Sequence, residues 1–265
     1  MIHGFLKACT VSPALRVADC AFNTQQTIAA MQRAAADCVQ LAVFPELGLT
    51  GYTCGDLFFQ QPLQRAAARG LTAVLEASAD LDLVALVGLP VTVDGKLYNC
   101  AAVVCHGKLL GLVPKTYLPN YGEFYERRQF NPAPAGVRTL HFAGQEVLFG
   151  TKLLFRCAEM PEFCLGVEVC EDLWAPLPPS THHALAGATV IANLSASDET
   201  IGKADYRRAL VSQQSARLLC AYLYADAGHG ESTTDMVFAA HDLICENGTL
   251  LSEAKPFGAG YACTE

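Results

Sequence analysis

The sequence predicts one layered α/β domain whose sheets are covered on both faces. Segments with the two-residue period of a strand alternate along the chain with segments whose apolar residues recur at helical spacing. Hydrophobic residues make up 52% of the chain against 17% charged, so much of it must be interior, as in folds that bury both faces of a sheet. At 265 residues, one domain has ample length for such a core.

Leu6–Val11 reads as a first strand, and Asn23 with Gln26 three residues on predicts a cap for a helix whose apolar stripe is Ile28, Met31, Ala35 and Cys38. Leu41–Phe44 is a second strand ending at Pro45-Glu46, and the glycine-bearing segment from Leu47 to Tyr52 cannot easily extend it. Pro62 suits the first turn of a helix that carries Leu63, Ala67, Leu71 and Val74 on one face. Leu83–Val93 and Leu97–Cys105 read as strands joined at Asp94-Gly95, a pair that accepts the positive φ angles of a tight hairpin. His106-Gly107 turns the chain again into Leu109–Val113, which ends at Pro114-Lys115. Residues 116–134, rich in aromatic, proline and charged residues, show neither period and are predicted to form a functional loop.

Strands resume at Thr139–Phe142, Glu146–Phe149 and Leu153–Arg156. In the stretch from Phe163 to Trp174, Leu165, Val167 and Val169 alternate with small or polar neighbours before the run breaks at Cys170, Glu171 and Asp172. Ser180 is predicted to cap a short helix ending near Gly187, and Val190–Leu194 is a buried strand that ends at Ser195-Ala196-Ser197. A helix from about Ala204 buries Leu210, Val211, Leu218 and Leu219. Tyr222–Ala225 and Met236–Ala240 flank the segment AGHGESTTD, and Asp242–Glu246 turns at Asn247-Gly248 into Thr249–Ser252. The last residues, KPFGAGYACTE, carry no capping element, which predicts that the polypeptide continues beyond them.

Composition narrows the function classes. No apolar run reaches the length of a membrane span, and the interrupted start, MIHGFLKACTVSPALRV, is too short for a secretory signal, so a soluble, cytoplasmic protein is expected. Twelve cysteines without a signal predict reduced thiols; most of them, Cys9, Cys38, Cys100 and Cys220 included, sit in apolar runs as packing residues. No CxxC pair is present, and the seven histidines lack ligand spacing, His182 and His183 being adjacent, so no metal is expected. A net charge of −8 argues against nucleic acid or an anionic membrane as the main partner. Small molecules remain.

Three strands end in reactive side chains: Glu46 after Pro45, Lys115 after Pro114, and Cys170 after Val169. A lone Glu or Lys at a strand end is most often a solvated charge, and a free cysteine is most often a packing residue. Cys170 departs from that pattern because two carboxylates and a turn follow it at once. A strand end also suits a nucleophile, since the sheet fixes the thiol while the next N–H groups are free to face a developing oxyanion.

Taken together, VFPELGLTGY, VPKTYLPNYGEFYE and GVEVCEDLW resemble the Glu-Lys-Cys signatures of the nitrilase superfamily of carbon–nitrogen hydrolases. The longer segments ELGLTGYTCGDLF, KTYLPNYGEFYERRQF, NLSASDETIGKADYRR and AGHGESTTDMVF are similar to the N-terminal glutaminase domain of glutamine-dependent NAD synthetases, over nearly the whole chain. The resemblance implies a nitrilase-like αββα sandwich, two stacked mixed sheets flanked by helices, across residues 1–265. It implies L-glutamine as substrate, a homo-oligomer, and an ATP-dependent synthetase domain downstream that takes up the ammonia. No SGGxDS-type pyrophosphate loop occurs here, so ATP and Mg are assigned to that domain and no cofactor to this one.

By the same resemblance, Glu46 acts as proton acceptor for Cys170, and Lys115 with the backbone N–H of Glu171 meets the oxyanion. Glu123 is matched to a further glutamate that holds the lysine. Tyr121, Ser197 and Lys203 fall in motifs that bind the α-amino and α-carboxylate groups of glutamine, and Tyr52 and Phe124 shape the pocket wall. Such chemistry needs these residue types because an amide carbonyl is a poor electrophile: the attacker must be a thiolate and the oxyanion must be held as it forms. Two other readings stand beside this one, a free-standing amidase or nitrilase acting on another small substrate, and a catalytically silent binding or assembly module.

Overall fold

Most strands of the predicted core find a place in one of two stacked mixed sheets. A computed structural model of the protein describes residues 4–265; residues 1–3, part of the start read as too short for a signal, lie outside the described residues. Among these, eight strands form the larger sheet: β1 (Ala8–Val11), β2 (Leu41–Val43), β3 (Val84–Val93), β4 (Lys96–Cys105), β5 (Lys108–Pro114), β6 (Arg138–Phe142), β7 (Gln145–Phe149) and β14 (Tyr261–Thr264). Their spatial order is β14-β1-β2-β3-β4-β5-β7-β6. The second sheet holds β8 (Leu154–Arg156), β9 (Cys164–Val169), β10 (Val190–Leu194), β11 (Ala221–Ala225), β12 (Leu243–Glu246) and β13 (Thr249–Glu253), in the order β13-β12-β11-β10-β9-β8.

Alternation along each strand sends side chains to two different cores. Leu41, Val43, Leu86 and Val103 of the larger sheet meet Leu165, Val167, Ala192, Leu194 and Leu223 of the second in the layer between the sheets. Their neighbours Ala42, Val87 and Ala102 face outward onto Met31 and Ala34 of α1 (Cys20–Ala36) and Leu71 and Val74 of α2 (Gln61–Ala77). On the far side, Ile191, Tyr222, Tyr224 and Leu243 face Leu173 of α3 (Glu171–Trp174) and Val211 of α5 (Lys203–Leu218), with α4 (Pro179–Leu185) beside them. This is the αββα layering that the resemblance implied, and it explains why so many strands read as nearly unbroken apolar runs.

The hairpin turns hold positive φ where predicted, at Asp94-Gly95, His106-Gly107 and Asn247-Gly248. Other expectations are corrected. Asp19, not Asn23, caps α1, its side chain accepting the Phe22 N–H at 3.0 Å; Asn23 is buried inside the helix and exchanges hydrogen bonds with the Arg16 backbone. Cys38 lies past the end of that helix and is exposed. Ser180 falls within the first turn of α4, where its N–H donates to the Glu168 carboxylate at 2.7 Å instead of the hydroxyl capping the end. Leu219 follows α5 in a left-handed conformation and is exposed, because the chain must turn there to enter β11.

Residues 236–240 form no strand; Phe238 makes a single bridge to Asp198. Tyr261–Thr264, in contrast, pairs antiparallel with β1, so the chain's last residues complete the larger sheet. That pairing partner lies about 250 residues away in sequence, and no local signal could announce it.

Candidate active site

The strand directions gather the reactive ends. β9, β10 and β11 are parallel, as are β1, β2 and β3, so the carboxyl ends of each set share an edge, the usual place for a ligand in such sheets. The Glu46 N–H donates to the Ser195 carbonyl at 3.2 Å, so the turn after β2 meets the turn after β10 across the two sheets. That first turn lies directly on Gly88 of β3, where a Cβ would stand 2.3 Å from Leu47 N and 2.6 Å from Pro45 O; only glycine allows the approach. Lys115 leaves β5 with its N–H on the Asn99 carbonyl at 2.8 Å, which sets Asn99 of β4 beside it.

The polar heart of the site is a buried cluster. Lys115 Nζ donates to Glu46 Oε1 and to Glu126 Oε1, each at 2.6 Å, with the ammonium wholly excluded from solvent. Asn99 Nδ2 donates to the same Glu46 oxygen at 2.5 Å, and the Tyr52 hydroxyl donates to Glu126 Oε1 at 2.8 Å. The second oxygens, Glu46 Oε2 and Glu126 Oε2, are buried and have no hydrogen-bond partner. A buried carboxylate oxygen left open in this way is an available proton acceptor.

Electrostatics follow from burial and from the excess of carboxylate over ammonium. Burial draws the Lys115 pKa down, but Glu126 and Glu46 outweigh it and hold it well above the ordinary value, so the side chain stays cationic. Burial lifts the Glu126 carboxyl to about 7, with Lys115 pulling it down and Glu46 pushing it up.

Cys170 sits at the hinge between β9 and α3 with φ +47 and ψ −101, a conformation that costs a non-glycine residue energy. Its N–H donates to Asn193 Oδ1 at 3.0 Å. The Asp172 carboxylate accepts from Val169 N at 3.0 Å and from Tyr117 N at 2.8 Å, tying the hinge to the loop that follows Lys115. The thiol is buried and lies in the fields of Glu46, Lys115 and Glu126, and the Ala196 N–H bonds to its sulfur. Burial, then Glu46, pushes the thiol pKa well up, while Lys115 draws it down, so the resting sulfur is protonated and needs a base. As first residue of α3, Glu171 has an N–H with no carbonyl four residues back to bond, directly after the sulfur-bearing residue.

A second group lies further out. The Tyr121 hydroxyl donates to both Glu171 carboxylate oxygens at 3.0 Å, and Tyr121 is exposed. Lys203 pairs with Asp198 and lies over the rings of Phe124 at 5.7 Å and Trp174 at 5.4 Å. Ser197 is buried, its N–H donating to Asp226 Oδ1 at 2.8 Å and its hydroxyl oxygen accepting from Arg207 at 3.2 Å. Tyr52 belongs to the inner cluster through its hydroxyl and not merely to a wall.

The glutamate that meets Lys115 from the loop is Glu126, not the expected Glu123, which lines a cavity alongside Phe124, Glu126 and Met236. The loop supplies two glutamates three residues apart, and only the path through the turn at Glu126–Arg128 decides which side chain points inward. Asn99, Asn193, Asp172 and Ala196 were also missed. Asn99 lies in an apolar strand, where one buried amide among hydrophobic residues was the available signal.

The model of the carbon-nitrogen hydrolase family matches residues 8–235. The chain belongs to that family. Among relatives of this carbon-nitrogen hydrolase, the glutamine-dependent NAD(+) synthetase of Mycobacterium tuberculosis H37Rv is 45% identical over 258 residues, covering 97% of this chain and 38% of that protein. The chain thus spans about two fifths of the length of the curated relatives it matches. The crystal structure of a glutamine-dependent NAD(+) synthetase from Cytophaga hutchinsonii superposes with a TM-score of 0.85 at 27% identity, covering 98% of this chain and 42% of that one. A mutant amidase of the nitrilase superfamily from Nesterenkonia, at 18% identity and a TM-score of 0.76, covers 98% of this chain and 89% of its own and shares the fold.

Proposed function

We propose that this carbon-nitrogen hydrolase is the glutaminase half of a glutamine-dependent NAD synthetase. The observation that carries the proposal is the buried Glu46–Lys115–Glu126 cluster beside Cys170, in a chain 45% identical to the matching part of such synthetases. Glu46 takes the Cys170 proton on its open oxygen Oε2, and the thiolate attacks the side-chain amide carbon of glutamine. The Lys115 ammonium and the Glu171 N–H stabilise the oxyanion. Glu46 then gives the proton to the departing ammonia, leaving a Cys170 thioester. It next takes a proton from water, which adds to the thioester carbonyl, and glutamate leaves as the thiol is restored.

Lys115 performs its part only if it stays charged and still, and the two carboxylates that grip it supply both conditions. In the outer group, Glu171 with Tyr121 suits an α-ammonium, and Lys203 with Ser197 suits an α-carboxylate. Ammonia passes to a synthetase domain outside this chain, where ATP and Mg drive amidation of the deamido dinucleotide to NAD. Twelve free cysteines suit the reducing cytoplasm.

Glutamine hydrolysis by this chain, measured as equal release of ammonia and glutamate, tests the reading. A glutamine-like affinity label should modify Cys170 ahead of the other cysteines. Faster turnover of a simple aliphatic amide than of glutamine would refute the synthetase assignment, and indiscriminate labelling would favour a silent module.

A further inference from the structure

The segment AGHGESTTD has no part in the chemistry derived so far, yet it places a buried carboxylate against the turn that carries Tyr52. The Glu231 side chain accepts the Tyr52 N–H at 2.6 Å, the Thr53 N–H at 3.0 Å and the Thr53 hydroxyl at 2.5 Å. These two N–H groups open the 3-10 turn Tyr52–Phe59, whose preceding residue, Gly51, has no side chain to cap it. Ser232 N in turn donates to Thr53 Oγ1 at 2.9 Å. The segment is pressed into place at Gly230, where a Cβ would stand 1.8 Å from the Leu15 carbonyl oxygen.

From this geometry we infer that Glu231 is a positioning residue: it anchors the turn that aims the Tyr52 hydroxyl at Glu126, and so decides how Glu126 holds Lys115. The line of contact runs from Glu231 through the Tyr52 backbone to its hydroxyl, then to Glu126 Oε1, then to the ammonium, with no gap longer than 3.0 Å at any hydrogen bond. The Tyr52 ring has little freedom to restore the contact by itself, since it is buried edge-on against Phe238. A gap opened at the anchor is therefore felt at the hydroxyl.

The consequence is a pH effect. Glu126 faces Lys115 from the loop after β5, Glu46 from the turn after β2, Tyr52 from the 3-10 turn and Cys170 from the hinge after β9; Glu171 feels its charge from α3, and Glu123 and Asp235 line the adjoining cavity. Of these, Lys115 and Tyr52 hydrogen-bond to its charged form. Loss of the Tyr52 contact leaves Glu126 easier to protonate, which weakens the grip on Lys115 at a higher pH than in the native protein.

The inference rests on the proposed chemistry for its importance but not for its test. The chain labelled with glutamate carrying carbon-13 at the side-chain carboxyl is titrated by NMR without substrate, the Glu126 signal being identified by its absence in Glu126→Gln. Tyr52→Phe and Glu231→Gln should each raise the Glu126 midpoint, by about one pH unit for a lost hydrogen bond to a charge. The double variant should go no further than Tyr52→Phe alone. The acid limb of glutamine hydrolysis should move with the midpoint. An unmoved midpoint in folded Glu231→Gln, or additive shifts in the double variant, would overturn the inference. Should Glu231→Gln fail to fold, Thr53→Val removes one donor from the same carboxylate, and an unmoved midpoint there is equally decisive. Native protein that titrates as described but leaves glutamine untouched sinks the glutaminase reading alone.

Discussion

Replacing Asn99 by leucine should separate activity from stability. Asn99 Nδ2 gives Glu46 a 2.5 Å hydrogen bond in a site closed to water, while its own Oδ1 is buried without a partner. Hydrogen bonds to charged groups contribute about 1.5–3 kcal/mol, and an orphaned buried acceptor costs about 1–3 kcal/mol. Asn99→Leu removes both, so the net change in folding free energy should be close to zero, within about 1 kcal/mol. Catalysis has no such compensation. Glu46 loses one of the two donors that fix the oxygen beside its reactive one, and at about 1.4 kcal/mol per factor of ten the rate of glutamine hydrolysis should fall about 10- to 150-fold. Ammonia release under saturating glutamine and thermal unfolding of the same preparation measure the two quantities. A variant that melts well below the native protein yet keeps its rate would show that Asn99 serves the fold and not the base, and the reasoning about Glu46 would be wrong.

Cys170→Ala should abolish thioester formation and keep the fold, and Cys170→Gly should be equally inactive but more stable than Cys170→Ala by about 1 kcal/mol, because glycine accepts the positive φ that alanine cannot; equal melting temperatures would argue against strain at the hinge. Gly88→Ala should cost at least about 2 kcal/mol and most of the activity, since its methyl group would collide with the backbone that carries Glu46; the two losses are read by denaturant unfolding and ammonia release, and a neutral result would mean that the turn is free to move. Glu126→Gln should change the pH dependence of stability. In the native protein the Glu126 carboxyl is raised from 4.5 to about 7, so the folded state binds the extra proton and its contribution is full below about 4.5 and lost as pH rises through about 7. Native stability relative to Glu126→Gln should therefore decline across that window, and a parallel pair of stability curves would contradict the assignment.

Most of the layered fold was legible because both faces of its strands are buried, which writes long apolar runs and sharp turn pairs into the chain. Asp94-Gly95 and Asn247-Gly248 fixed their hairpins locally, and Glu46, Lys115 and Cys170 stood out as polar residues at the ends of such runs. Helix ends were misread locally, as at Asp19 and Leu219, and the larger failures depended on a distant partner. Tyr261–Thr264 is a strand only because β1 offers an edge to it, and residues 236–240 have strand-like composition but no ladder to join.

The sequence by itself determined the alternation of buried strands and helices, the three reactive strand ends and the motifs that resemble a carbon-nitrogen hydrolase, because periodicity, turn chemistry and motifs are properties of neighbouring residues, whereas the division of the strands between two sheets came from their pairing in space. Tertiary structure decided the rest of the site: that Glu126 and not Glu123 grips Lys115, that Asn99 braces Glu46, and that Glu231 anchors the turn of Tyr52. Each of these contacts joins residues 11, 53 or 179 positions apart, and a hydrogen bond between them is set by where the backbone places two atoms in space, which no local pattern encodes.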